Sequence, residues 1–578
     1  MLQMAKNIFY EIDFVKRTAF LIAFLSLISQ LMALMRDRIF ASEFGPSRIL
    51  DIYYAAFNVP DLLYAILFSL ISSVTLVPIF SKVLEKENGN WQKVYKVFST
   101  FLNMFLIFII PISVIIYFFM PEIINLSLPG FNAIDKEQVI SLSRIILLQP
   151  VFLGLSALVS SLAQTENKFL AFSLAPIVYN LGIMLGTIYF YPVFGISGLG
   201  YGVVLGAMLH LIIQSLSLLK AWHHTRFSYT TEIIWLEVWD LLKLSFWRVL
   251  SFIVNNIRMI AMIFFASSFG MGAISYFKIT SNLAEIFFSL ITISYTVAAF
   301  PVLSRFFEEK KEREFENLVV KSLNYLFFWC TPVIAYVIIM RAHIIRIVLG
   351  TGVIDWEKTK ILAVFLAILI LVLVLQSLVY FLGRVCYAQR NTFLPFISQA
   401  IATLVMIIFI YVINKFLPHL YSNYLDKFNI IFNILKIPEI NTLEKVQLFI
   451  LPIGFIFFRI LEFIIMLFCM QVKKLFDFRK IFWLKKTIRD TIYSSTILFI
   501  AIYFFLRIFE SFLNVNIGDN QTLPGLLLQT FLTSVFGFLI WYGVLRFLRN
   551  EEIVSFEEHI REKMWKKKIL SDINLGEI

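Results

Sequence analysis

Runs of about twenty apolar residues recur along almost the whole length of this 578-residue chain, and nothing else in the sequence constrains its fold as strongly. A hydrocarbon layer about 30 Å thick needs roughly 20 apolar residues per crossing helix. Composition agrees with that solvent: 60% of residues are hydrophobic, 17% aromatic and only 15% charged. A soluble domain averages roughly 45–50% apolar and about 25% charged. The sequence therefore reads as an all-α polytopic membrane protein with about fourteen transmembrane helices. The predicted spans are 18–37, 52–80, 96–120, 139–163, 169–191, 195–219, 241–267, 272–302, 318–340, 360–387, 393–416, 446–471, 491–508 and 525–547. No small-residue cleavage site follows the first run, so it is expected to be a retained helix.

The net charge of +12 is explained by where the cations lie. About 32 Lys and Arg fall on the side of the N-terminus: the tail, 82–96, 165–168, 220–243, 305–321, 384–390, 473–489 and the C-tail. The opposite loops carry about 13, and Arg144, Arg248, Arg258, Lys278 and Arg459 lie within spans. The positive-inside rule then predicts both termini in the cytoplasm, with the chain expected in an inner (cytoplasmic) membrane. No basic nucleic-acid-binding module is visible, and nucleic acid is not expected as a partner. Cys330, Cys386 and Cys469 sit in or beside apolar runs, which argues against a disulfide framework or a metal site.

Internal repetition divides the chain. Ala41-Ser42-Glu43-Phe44-Gly45 recurs as Ala266-Ser267-Ser268-Phe269-Gly270, and Val77-Pro78 followed by Ser81-Lys82 recurs as Phe300-Pro301 followed by Ser304-Arg305. Ala163-Gln164 is echoed by Ala388-Gln389. Offsets of about 225 residues correspond to six spans, an even number, so the copies keep the same membrane direction. The expected domains are a cytoplasmic tail (1–17), two parallel six-helix lobes (18–220 and 241–471), a final helix pair (491–547) and a cytoplasmic C-tail (548–578). Substrate is expected near the interface of the repeats. The segment 417–445, with Phe428, Ile431, Phe432 and Leu435 on one side, reads as an interfacial helix.

No Walker A, HExxH or GxSxG sequence and no paired Cys ligands occur, so neither an ATP-driven pump nor a hydrolase is indicated and no cofactor is expected. Polar residues inside spans are costly and are functional candidates by default. Ser275, Lys278, Asn282, Glu285, Ser289, Thr292 and Thr296 are spaced alternately by three and four, one polar stripe on span eight. Span seven adds Arg248, Asn255 and Arg258. Span two adds Asp51, Tyr54, Asn58 and Asp61, and span one ends in Arg36-Asp37-Arg38. The candidate cavity set is Arg36, Asp51, Asn58, Arg248, Asn255, Arg258, Lys278, Asn282 and Glu285. The structural reading of the same residues is mutual pairing, Lys278 with Glu285, Arg258 with an Asn and Arg36 with Asp51. Arg459 and Glu462, three apart, read as a structural pair, and Arg144 as an interfacial cation.

These motifs resemble the MurJ/MviN family, the lipid II flippases of the MOP transporter superfamily. The resemblance rests on Met35-Arg36-Asp37 with Phe44-Gly45, Asp51 through Ala56-Phe57-Asn58-Val59-Pro60, and Val77-Pro78. It continues through Leu174-Ala175-Pro176 with Asn180, Leu349-Gly350-Thr351-Gly352 with Asp355, and Arg384 with Tyr387-Ala388 and Pro395. It covers about residues 18 to 415. The resemblance implies a cavity formed by spans one, two, seven and eight, and an apolar groove on the last two helices for a polyprenyl tail. It also implies a monomer that moves a polyprenyl-diphosphate precursor by alternating access, with membrane lipids and a possible coupling ion as further partners. The chain departs from the family pattern at three cation positions, occupied here by Gln30, Tyr64 and Asn282, and around Phe68–Ser72. Three other readings remain at this stage: a flippase for another polyprenyl-linked glycan, a drug/cation antiporter of the same superfamily, and a non-transporting scaffold.

Overall fold

The computed structural model describes, with side chains, residues 21–22, 24–66, 76–219, 229–231, 246–247, 249–350, 352–419, 443–476, 486–511, 522–555, 557–558 and 561. Every described element is a helix, and among the described residues there is no strand. Helices satisfy all backbone groups within one segment, which hydrocarbon requires. Eleven helices are long and apolar enough to cross a membrane, or twelve when the bent pair Trp356–Ile370 and Leu373–Ala388 is taken as one span. These twelve fall on predicted spans three to fourteen. Spans one and two lie on Leu2–Glu43 and on Arg48–Ala56, Asn58–Ile71 and Ser73–Lys86. Both run partly through residues outside those described, so the described residues account for twelve of the fourteen spans expected. The side chains of Phe428, Ile431, Phe432 and Leu435, and residues 562–578 of the tail, also lie outside the described residues.

Proline sets two of the breaks. Its ring clashes with the carbonyl four residues earlier and supplies no N–H. Span two breaks after Ala56, four before Pro60, and span four breaks after Ile146, four before Pro150. The two breaks meet, because Ser143 Oγ donates to the Ala56 carbonyl at 3.0 Å. Span ten bends by 43° at Leu371 and Val372 without a proline. Span eight carries a π-helical turn at Ser289–Ile293 between its two α-helical parts.

Packing relations recur at a separation of six spans. One packs on five as seven packs on eleven; five on six as eleven on twelve; four on six as ten on twelve; two on four as eight on ten. Gly45 and Gly270, from the first repeated motif, both end a helix with positive φ, +57° and +97°. The Ala-Gln echo is out of register. The positive-φ residues that end those helices are Asn167 and Arg390, four positions after Ala163 but two after Ala388. The halves meet mainly along spans one, two, seven, eight and nine, and one hydrophobic cluster runs through both. Spans thirteen and fourteen pack on each other and on span nine, where Phe328 and Trp329 meet Trp541.

Spans five and six approach through glycines. A Cβ on Gly182 would stand 2.3 Å from Gly206 Cα, and one on Gly202 would stand 2.4 Å from Gly186 Cα. Small residues drive such contacts because lipid tails solvate larger apolar side chains equally well. Gly202→Val is expected to wedge the helices apart and reduce folded, monodisperse protein several-fold, while Gly543→Val, at a helical φ and with open space around it, changes little. Comparing monodisperse peak heights of the two variants after detergent extraction tests this.

Candidate functional site

One end of the bundle is sealed by contacts between the halves. Asp51 begins the transmembrane course of span two and is 1% exposed. Its carboxylate accepts from Gly272 N (2.6 Å), Ser275 N (2.8 Å) and Ser275 Oγ (2.9 Å), the first turn of span eight. A helix N-terminus offers unpaired N–H groups and partial positive charge, so a buried carboxylate is well placed there. Around it, Arg38 donates to the Ile347 carbonyl at 2.8 Å, and Gly130 N donates to Ser267 Oγ at 3.2 Å. The pairing of Arg36 with Asp51 read from the sequence is not formed; each has another partner.

A second layer lies below the seal. Arg36 donates through Nε and Nη2 to Asp37 Oδ1 (3.0 and 2.8 Å) and through Nη1 to Asn180 Oδ1 (3.0 Å) on span five. Asp37 Oδ2 accepts from Asn282 Nδ2 at 3.1 Å, which ties span eight to span one. Gln30 Oε1 accepts from Ser289 Oγ at 3.3 Å on the same face. Lys278 lies within electrostatic reach of Asp61 on span two rather than of Glu285. Asn58 is buried at the head of the second helix of span two.

The other end of the bundle holds a cavity of about 1160 Å³. Its walls come from both halves: Tyr64 and Pro78 (span two), Ser160 and Gln164 (four), His210 and Gln214 (six), Asn255 (seven), Glu285 (eight), Tyr380 and Arg384 (ten), Gln399 (eleven), Arg459 and Glu462 (twelve). Of the nine residues singled out from sequence, Asn255 and Glu285 line it directly. Arg258 lies behind this wall, 5% exposed, over the rings of Phe455 and Phe458, and donates to Asn255 Oδ1 at 2.5 Å. Arg36, Asp51, Asn58, Lys278 and Asn282 belong to the layers above, and the Arg248 side chain lies outside the described residues. Arg459 and Glu462 form the expected ion pair, at 2.7 Å. Glu285 accepts from Gln376 Nε2 at 3.2 Å.

The polar stripe of span eight is thus shared among neighbours. Ser275, Asn282 and Ser289 meet spans one and two, whereas Glu285 and Thr292 meet span ten, Thr292 through Ser377 at 2.5 Å. The π turn, which contains Thr292, retards the phase of the residues that follow it by roughly a quarter turn, which swings Thr296 off the line predicted for a regular helix. Sequence reasoning ranked charges first, so it passed over Gln164, His210, Gln214, Gln376 and Gln399. Their signal was the same, a polar group within an apolar run. The last helix pair encloses an apolar hollow of about 570 Å³, lined by Tyr493, Ile497, Ile540, Val544 and Phe547 among others.

A two-sided helical bundle that closes one end by polar contacts between its halves, and toward the other opens a chamber set with polar side chains, has the architecture of a membrane transporter. The family model described as lipid II flippase MurJ matches residues 40–421, and the chain belongs to that family. Among its relatives, a protein of Buchnera aphidicola subsp. Acyrthosiphon pisum named "Probable lipid II flippase MurJ" is 24% identical over 59% of this chain and 71% of its own length. One of the same name from Bdellovibrio bacteriovorus is 23% identical over 67% and 74%. Among solved structures, "Lipid II flippase MurJ, inward closed conformation" superposes with a TM-score of 0.68 at 24% identity, covering 92% of this chain and 99% of that one. An inward-facing MATE-family multidrug transporter of the MOP superfamily gives 0.61 at 15% identity, over 77% and 95%. At these identities the structural likenesses speak to the fold alone.

Proposed function

We propose that the chain moves a polyprenyl-diphosphate-linked peptidoglycan precursor, lipid II, from the cytoplasmic to the outer leaflet by alternating access. Membership of the MurJ family over residues 40–421 carries this reading. The chamber adds a place of suitable size and chemistry: polar side chains stand out from a largely apolar lining, both halves wall it, and its volume is about 1160 Å³. The two halves are taken as parallel six-helix lobes, 18–220 and 241–471, that rock about their shared interface. The sealed end, with Asp51 on the first turn of span eight, faces the outside; the chamber opens to the cytoplasm. Rocking must break the Asp51 contacts and re-form them once per cycle. An inside-negative potential favours outward movement of an anionic head group by about 2.3 kcal/mol per charge per 100 mV. The apolar hollow between the last two spans suits the polyprenyl chain, which can exchange contacts with lipid tails for contacts with these side chains at little cost. The candidate residues then divide by layer, with Asn255 and Glu285 facing the head group in the cytoplasm-open state, Arg258 supporting the wall behind them, and Arg36, Asp51, Asn58, Lys278 and Asn282 governing the change of state.

Orientation is tested by reporter fusions. Fusions after residues 90, 310 and 480 are expected to read cytoplasmic and one after 355 external, given the asymmetry of Lys and Arg. An external signal at 480 would overturn the orientation and the assignment of the chamber mouth with it. The function itself is tested by complementation. Expression in cells depleted of their own lipid II flippase is expected to restore growth and the level of precursor in the outer leaflet. A properly inserted protein that leaves outer-leaflet precursor at the depleted level defeats the reading.

A further inference from the structure

We infer that the substrate head group is held on two chemically different walls of the chamber, its diphosphate by Arg384 and its uncharged amide- and hydroxyl-bearing portion by the wall around Gln214. The inference rests on the proposed polyprenyl-diphosphate substrate and adds where each part of it binds.

Arg384 stands four residues before the end of the helix Leu373–Ala388, about 6 Å from the open end of span ten. A diphosphate entering from the leaflet surface reaches this depth first. Tyr380, Tyr387 and Phe300 frame the guanidinium, with ring centroids 5.3, 5.8 and 5.8 Å away, and it donates a hydrogen bond to Tyr380 Oη at 3.1 Å. Rings orient the planar fork but leave its charge uncancelled. Among the described residues no carboxylate pairs with Arg384. The other arginine of the chamber wall, Arg459, is neutralised by Glu462 at 2.7 Å, and Arg36 is engaged by Asp37 and Asn180. Among the described residues of the chamber wall, Arg384 is therefore the arginine with charge and donors to offer an incoming anion.

The facing wall carries no comparable charge and is rich in hydrogen-bonding groups. Gln214 is 1% exposed and lines the chamber, yet among the described residues neither Nε2 nor Oε1 of its amide has a partner. A buried amide without partners is costly and unusual in a native structure. A ligand amide or hydroxyl, which donates and accepts, would satisfy both atoms. Beside it, Gln164 donates to Ser160 Oγ at 3.0 Å, and His210 Nδ1 shares a hydrogen bond with Ser156 Oγ at 2.7 Å. Such a wall suits an acetamido sugar or peptide amide and offers nothing specific to phosphate.

The test measures binding to the full-length protein in nanodiscs with two probes, a bare polyprenyl diphosphate and the same lipid bearing its sugar-peptide. Arg384→Gln is expected to weaken both by about tenfold to a hundredfold, as for loss of a charge-assisted contact, and Arg384→Lys to recover part of the loss. Gln214→Leu is expected to weaken only the sugar-bearing lipid, by roughly fivefold to tenfold. Unchanged affinity for the bare diphosphate in Arg384→Gln, or equal loss for both probes in Gln214→Leu, overturns the two-wall assignment. If the unmodified protein binds neither probe, the failure lies with the proposed substrate instead. Melting temperatures of all variants are recorded, and Arg384→Lys, which keeps the charge and the stem, decides the first wall if Arg384→Gln is poorly folded.

Discussion

Asp51→Ala is expected to unseal the closed end and to lower flipping by an order of magnitude or more. Three donors converge on this carboxylate, all from the opposite half of the protein. Hydrogen bonds to a charged group contribute roughly 1.5–3 kcal/mol each, and less than the sum when they share one acceptor. Taking about 3 kcal/mol in total, their loss shifts the balance between sealed and unsealed states by about a hundredfold. When the seal opens, water can hydrate the carboxylate and the helix N-terminus separately, so the stabilisation is specific to the sealed state. Asp51→Asn is expected to fall between, because its amide NH₂ would face one N–H of span eight. The readout is a single cysteine at Ala273, which is fully buried in the seal, in a background with Cys330, Cys386 and Cys469 replaced. A membrane-impermeant thiol reagent should label it slowly where Asp51 is native and many-fold faster in the Asp51→Ala variant. Equal labelling rates would remove Asp51 from the gating mechanism, whatever happened to flipping.

The membrane-spanning fold was legible because hydrocarbon imposes few solutions. Length and hydropathy alone located spans three to fourteen, whereas proline was an uneven guide: helices break just before Pro60 and Pro150, but Pro78 and Pro301 lie inside unbroken helices. The bend at Leu371–Val372 and the π turn at Ser289–Ile293 carried no such mark, since both arise from how neighbouring helices pack. For the site, spacing identified the right helices but not the partners. Periodicity places Ser275, Asn282 and Glu285 on one face of span eight. It cannot say that Asp51 caps the first, Asp37 accepts from the second and Gln376 donates to the third. Those facts depend on the tilt and height of helices more than a hundred residues away in some cases. Neutral polar groups were harder still to read. Gln214 lies in a run of otherwise apolar character, and only its unsatisfied amide beside a cavity sets it apart.

Arg258 and Arg36, which the sequence placed in one set, are expected to separate when replaced. Arg258 lies among Arg459, Glu285 and Glu462, a cluster with two charges of each sign. It is 5% exposed, covered by Phe455 and Phe458. Removing one cation leaves two carboxylates near one guanidinium, and among the described residues Arg258 itself makes no ion pair but donates to Asn255 and covers two rings. Because Glu285 is exposed to the chamber, about 1–2 kcal/mol is the expected loss for Arg258→Leu. Glu285→Gln in the same chain restores the balance of charge and should recover most of it. Thermal inactivation midpoints in nanodiscs for the parent, both single variants and the double variant measure the coupling directly. Arg36→Ala also strands a buried carboxylate, because Asp37 then keeps only its bond from Asn282, so some loss of melting temperature is expected; unlike the loss in Arg258→Leu it is not recovered by Glu285→Gln, and flipping is abolished. A stable Arg258→Leu protein, or one that Glu285→Gln fails to rescue, would contradict the charge-balance account. If the double variant is stable but cannot flip, Arg258 acts on substrate as well as on the fold; if it flips at the parent rate, the guanidinium serves only to hold spans seven, eight and twelve together.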